Sequence, residues 1–146
     1  MVEQKTHPYF IVGINDSDFI IDGWYERTIH KPTGLFYRPT KQSASFKLPV
    51  VGDLTEKNIF IFVAGSPSLV KKNVMGKVFC NDILLGDFSL ETDLWQLISF
   101  PLQKVLSPGD SLKFLIKTEI SFIPHIYLNN NDYREMGVYF SFALIK

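Results

Sequence analysis

Apolar and polar side chains alternate with a period of two along this chain from one end to the other, and no stretch keeps apolar residues at helical spacing for three turns. "SASFKL" turns Ala44, Phe46 and Leu48 to one side and Ser43, Ser45 and Lys47 to the other, the pattern of a strand with one wet face. "SLKFLIK" repeats it with Leu112, Phe114 and Ile116, and the terminal "VYFSFALI" places Val138, Phe140, Phe142 and Leu144 inward by the same rule. "IFIFVA", from Ile59, is apolar on both faces and predicts a central strand.

The punctuation fits hairpins. "SPGD", Ser107 to Asp110, puts Pro where a turn needs its fixed φ and Gly where a type II turn needs φ > 0. "FCNDIL" sets Asn81 and Asp82, both tolerant of left-handed geometry, between two apolar segments and predicts a tight hairpin. Further strands are expected around Ile11, Trp24, Phe36, Val78, Leu85 and Trp95, for a total of roughly eight to ten short strands. The expected fold is all-β: an antiparallel β-sandwich, jelly-roll-like because strand spacings are uneven and the connections at "AGSPSLVKKN" and "HIYLNNNDY" are long for up-and-down hairpins. Residues 1–7 read as a flexible N-terminal tail and residues 8–146 as a single sandwich domain.

Composition narrows the function classes. Fifteen basic residues balance fifteen acidic ones, which removes the broad positive field that nucleic-acid binding requires. The longest apolar runs are strand-length, so no membrane span or signal peptide is expected. One cysteine, Cys80, excludes an internal disulfide and fits a reducing, cytoplasmic setting. It sits in an alternating strand where a small apolar side chain is wanted, so core packing is the expectation rather than nucleophilic catalysis. His7, His30 and His125 are scattered without zinc-site spacing, and phosphate cradles, nucleophile elbows and dinucleotide fingerprints are missing. The expectation is a protein without catalytic activity and without a cofactor.

Two polar-aromatic clusters remain as candidate chemistry. In "DGWYERTIH", a strand over residues 24 to 29 would put Trp24, Glu26 and Thr28 on one face and Tyr25, Arg27 and Ile29 on the other. Trp24 or Tyr25 would offer a flat apolar surface to a sugar ring while Glu26 and its neighbours hydrogen-bond hydroxyls; the alternative puts one aromatic in the core and pairs Glu26 with Arg27, Arg38 or Arg134. "GLFYRPT" adds Tyr37 and Arg38. Trp95, among apolar neighbours, reads as core. The second cluster, "YLNNNDYREMG", precedes the last strand and supplies amide and carboxylate oxygens at Asn129, Asn130, Asn131 and Asp132, beside Tyr133, Arg134 and Glu135. Those oxygens suit sugar hydroxyls or a structural calcium ion, and equally suit a turn that caps its own backbone. Arg134 and Glu135 are expected to lock this loop to Glu26 or Arg38.

The succession "DGWYE", "GLFYR" with Thr40 close behind, "VFCNDILLG", a lone Trp95 followed by "FPL", "SPGDSL", Pro124 and "DYREMGVYF" resembles the small jelly-roll module attached to, or encoded beside, bacterial glycosyltransferases of surface-polysaccharide synthesis. The likeness spans about Phe19 to Ile145 and departs at Pro39, where that pattern carries an aromatic. It implies a carbohydrate-binding-like fold and a setting in glycan synthesis, with no catalytic residue transferred. The expected function is therefore a non-catalytic module that binds carbohydrate or a glycosyltransferase through Trp24, Tyr25, Glu26, Tyr37, Arg38, Asn130, Asp132, Tyr133 and Arg134. The rival is a structural or protein-interaction sandwich, for example a homodimer formed through the apolar face of a strand at Tyr139 or Leu115.

Overall fold

A computed structural model of the chain describes residues 8–65, 73–91, 94–105, 109–119, 131 and 134–146. Ten strands fall in that range: β1 Tyr9–Ile11, β2 Thr28–His30, β3 Leu35–Pro39, β4 Ser43–Pro49, β5 Asn58–Gly65, β6 Val74–Cys80, β7 Ile83–Leu90, β8 Trp95–Pro101, β9 Ser111–Thr118 and β10 Val138–Ile145. They form two antiparallel sheets. The larger runs β2-β3-β10-β5-β8, with β1 also paired to β10, and the smaller runs β4-β9-β6-β7. Because β5 occupies one edge of β10 along its whole length, β3 and β1 share the other edge end to end, β3 at Tyr139 and Phe140 and β1 from Phe142 to Leu144. Among the described residues, no helix is long and apolar enough to cross a membrane.

The alternation does its expected work in β4, β5 and β9. Ala44, Phe46 and Leu48 face Leu112, Phe114 and Ile116 across the register of the smaller sheet, and all six are buried. β5 lies inside its sheet, between β10 and β8. Phenylalanines from both sheets make the centre: Phe46 stacks on Phe114 at 5.1 Å, Phe10 on Phe140 at 5.5 Å, and Phe10 meets Phe46 at 5.1 Å across the sandwich. Edge-to-face and offset ring pairs of this kind add about 1 kcal/mol each beyond the area they bury.

Strand β10 departs from simple alternation. A bulge between Phe140 and Phe142 inserts one residue, so Val138, Phe140, Ser141, Ala143 and Ile145 are buried while Phe142 and Leu144 turn to the outer face, opposite to the parity the sequence pattern predicts. Phe142 there stacks on Phe62 of β5, ring centroids 5.2 Å apart. The tight hairpin at "FCNDIL" forms as predicted, with Asn81 and Asp82 at φ 48° and 67°. Gly109 takes the positive φ expected of it, while Ser107 and Pro108 of the same turn lie outside the described residues.

The outer faces of the two sheets differ sharply. The smaller sheet exposes Lys47, Met75, Lys77, Lys113 and Lys117. The larger sheet presents Tyr37, Phe60, Phe62, Trp95, Leu97 and Tyr139 on its outward positions and no charged side chain within its strands there. In a flat sheet β2 and β8 would stand about 19 Å apart, four strand spacings. Yet the ring of His30 on β2 lies 5.9 Å from that of Trp95 on β8. The sheet therefore curls, and His30, Tyr37, Tyr139, Phe62 and Trp95 close over Ala64 as a second small apolar cluster. Trp95, read from sequence as a core residue, belongs to this outer cluster rather than to the space between the sheets.

Segment Phe19–Gly23 runs along the free edge of β4. Ile21 N donates to the Ser45 carbonyl, Ser45 N to that of Asp22 and Lys47 N to that of Phe19. The close approach requires Gly23: its φ is +89°, and a side chain there would run into the Ser43 carbonyl. Replacing Gly23 with Ala is expected to cost at least about 3 kcal/mol in urea unfolding. The same change at Gly34, whose φ is +74° but whose surroundings are open, is expected to cost about 1 kcal/mol.

Candidate functional site

Residues 24–29 do not form the single strand expected of them: Trp24 makes an isolated bridge to Thr40, and regular pairing starts only at Thr28. Trp24 accordingly turns inward. Its ring meets Phe140 at 4.9 Å, Phe10 at 6.2 Å and Phe46 at 6.3 Å, and its Nε1 donates to the Ser45 carbonyl at 2.7 Å. These contacts pack the half-buried Trp24 against the core.

Arg38 is equally committed. Its Nε donates to Asp16 Oδ2 at 2.6 Å and its Nη1 to the Tyr25 carbonyl at 3.0 Å, while the other Asp16 oxygen accepts Gly13 N at 3.0 Å. Asp16 is only 4% exposed. Of the three arginines offered as partners for Glu26, Arg38 is thus taken by Asp16, and Glu26 is exposed and takes part in neither of the two described ion pairs. Tyr37 lies on the outer face of the larger sheet, where burial raises its phenol above the ordinary value against the lowering effects of Arg134 and a hydrogen bond with Thr28. Asn130, Asp132 and Tyr133 lie outside the described residues.

Tyr25 does reach a surface. Its hydroxyl donates to the Glu135 carbonyl at 2.8 Å, and the Arg134 guanidinium sits over its ring, 5.4 Å from the centroid. Tyr25 and Glu135, with Lys41, Gln42 and Ser43, line an open cleft of about 440 Å³. Ser43 also lines a second cleft of about 450 Å³, with Asp22, Ser45, Phe79, Asn81, Asp82, Lys113 and Leu115. The two clefts share Ser43, on the outward face of β4 at the edge of the smaller sheet.

Strand register builds this groove. Ser45, Leu115, Phe79 and Leu84 stand in one row across β4, β9, β6 and β7, so Phe79 and Leu115 supply an apolar floor. The β6–β7 turn is held over one end because Asn81 N donates to the Lys113 carbonyl and Asn81 Oδ1 accepts Lys113 N. Asp22 is fixed at the other end by the edge pairing, with its amide donating to Ser45 Oγ at 3.3 Å. Asp22, Asp82 and Lys113 are exposed and outside the described ion pairs, which leaves carboxylate acceptors and ammonium donors facing water above an aromatic floor. The sequence pattern places Ser43 and Ser45 on the wet face of β4 and Asn81 and Asp82 in a turn, and it singles out neither Phe79 nor Lys113. The available signal was Phe79 at an outward position between Lys77 and the turn, where alternation would place a polar residue.

Among the described residues, no group of three or more His, Cys, Asp or Glu side chains is placed to hold a metal ion. Cys80 is fully buried, and burial pushes its thiol up to about 12, far from the thiolate a nucleophile needs.

The architecture is that of carbohydrate-binding-module sandwiches. A family 35 carbohydrate-binding module from an environmental isolate superposes with a TM-score of 0.51 at 11% identity, over 94% of this chain and 91% of that one. A β-1,3-glucan-binding family 6 module from Bacillus halodurans gives 0.51 at 12% identity over 97% and 96%. The acetyl xylan esterase Est2A from the rumen bacterium Butyrivibrio proteoclasticus also gives 0.51 at 12% identity, with 92% of this chain spanning 31% of that enzyme. No protein-family model matches the chain, and no curated protein is similar to it in sequence. At these identities the likeness is one of fold.

Two expectations follow from the site's supporting residues. Arg38→Ala strands the buried Asp16 carboxylate and is expected to cost about 3 kcal/mol, whereas Glu26→Ala stays within about 0.5 kcal/mol, both read from urea midpoints. Because the Cys80 thiol rises from 9.0 to about 12 on folding, the unfolded chain ionises it first. Its contribution to stability is intact below about pH 9 and is lost as pH climbs towards about 12. Cys80→Ala should remove that part of the alkaline slope in pH-dependent unfolding.

Proposed function

We propose that this chain is a non-catalytic carbohydrate-binding module whose ligand lies along the groove from Tyr25 to Asn81. The observation that carries the reading is two open clefts sharing Ser43, one lined by the Tyr25 ring and the other pairing the Phe79 ring with the exposed heads of Asp22, Asp82 and Lys113. A sugar ring has apolar C–H faces and a rim of hydroxyls. The first stack on aromatic rings, and the second donate to carboxylates and accept from ammonium groups. The sandwich shared with carbohydrate-binding modules supports the same reading. The motif resemblance supports a finer one, in which the module serves bacterial glycosyltransferases of surface-polysaccharide synthesis by holding their acceptor or product.

Each ring contact contributes on the order of 1 kcal/mol, so affinity in the high micromolar to millimolar range is expected. Calorimetric titration and amide-shift mapping against a panel of neutral oligosaccharides should locate binding at Phe79, Lys113 and Tyr25. Phe79→Ala and Tyr25→Ala are each expected to weaken it about tenfold, or about 1.4 kcal/mol, with circular dichroism confirming that each variant is folded at the temperature of the titration. Silence across the panel at millimolar ligand would sink the carbohydrate reading. Binding that survives both substitutions would move the site elsewhere.

A further inference from the structure

The strands of the smaller sheet carry five charged side chains, Lys47, Lys77, Asp87, Lys113 and Lys117, all exposed on its outer face. Four lysines against one aspartate leave these strands at +3 in a chain whose formal net charge is zero. Register concentrates the charge further. Lys47 stands directly across from Lys113, and Lys117 directly across from Lys77. Like charges in cross-strand register repel, so the fold gains nothing from these pairs. Asp87 answers Lys77 at 2.7 Å, but Lys47, Lys113 and Lys117 enter no ion pair among the described residues. Between the two lysine rows runs the row of Ser45, Leu115, Phe79 and Leu84. Lys113 lines the cleft with Phe79 and Leu115, and Lys117 lies opposite Ser43, the residue both clefts share.

We propose, resting on the carbohydrate reading above, that the ligand of these clefts is an acidic glycan, a polysaccharide whose sugars carry carboxylate or phosphate groups at intervals. Sugar faces lie on the Phe79 row, and the anionic substituents meet the unpaired lysines on either side. Lys113 and Lys117 are four residues apart on one strand, about 14 Å, so they engage charges on separated sugars rather than one group. Asp22 and Asp82 line the same cleft as Lys113. They accept from hydroxyls and repel a closely spaced run of anions, which favours a glycan over a nucleic acid with a phosphate on every residue.

Calorimetric titration of the full chain with two matched pairs tests this: oligogalacturonate against its methyl ester, and phosphorylated maltooligosaccharide against the unphosphorylated sugar. In at least one pair the charged member should bind roughly tenfold tighter, the responding pair telling carboxylate from phosphate, and the advantage should vanish near about 1 M salt. Lys113→Gln and Lys117→Gln should each weaken the charged sugar about threefold with less effect on its neutral partner. Lys47→Gln should do the same while holding or raising the urea midpoint, because it relieves the repulsion with Lys113. Charged and neutral members that bind alike would overturn the proposal and leave the carbohydrate reading intact, whereas silence from all four sugars and from the neutral panel would end both. Polyglutamate or single-stranded DNA binding as tightly as the charged sugar would also overturn it, since charge alone would then account for attachment.

Discussion

The approach of the backbone at Gly23 to the Ser43 carbonyl is the constraint on which the rest of this structure depends. It brings Phe19–Gly23 into hydrogen-bonding range of β4, which removes one sheet edge, and it aims Trp24 between the sheets, where the ring completes the contacts among Phe10, Phe46 and Phe140. The same turn leaves Asp22 lining one cleft and Tyr25 the other, so both depend on one glycine. Tyr25 is then held from two directions, its carbonyl by Arg38 and its hydroxyl by the Glu135 carbonyl. A side chain fixed in this way loses little rotamer freedom on meeting a ligand.

The two outer faces follow different rules. The smaller sheet behaves as a half-solvated antiparallel sheet, with lysines outward and, Phe79 apart, phenylalanines inward. The larger sheet reads as apolar on both sides, and it handles the excess by curling until β2 meets β8. That curl buries Tyr37, His30 and Trp95 against one another at one end of the face and leaves Leu97 open at its edge.

Period two was enough to place β4, β5, β9 and the "ND" hairpin, because each is a local pattern with no insertion. It misplaced Phe142 and Leu144 because a bulge is one extra residue without a compositional mark, and a single insertion reverses every later side chain. The site was legible only in part. Tyr25 stands out by its polar-aromatic setting, but the same setting singles out Trp24 and Arg38, whose partners lie in the core and on Asp16, while Glu135 reads there only as a brace for its loop. Nothing local separates an arginine that meets a ligand from one that meets a buried aspartate twenty-two residues away in the chain. Phe79 and Lys113 come together only through the register of β6 on β9, which no single stretch of sequence encodes.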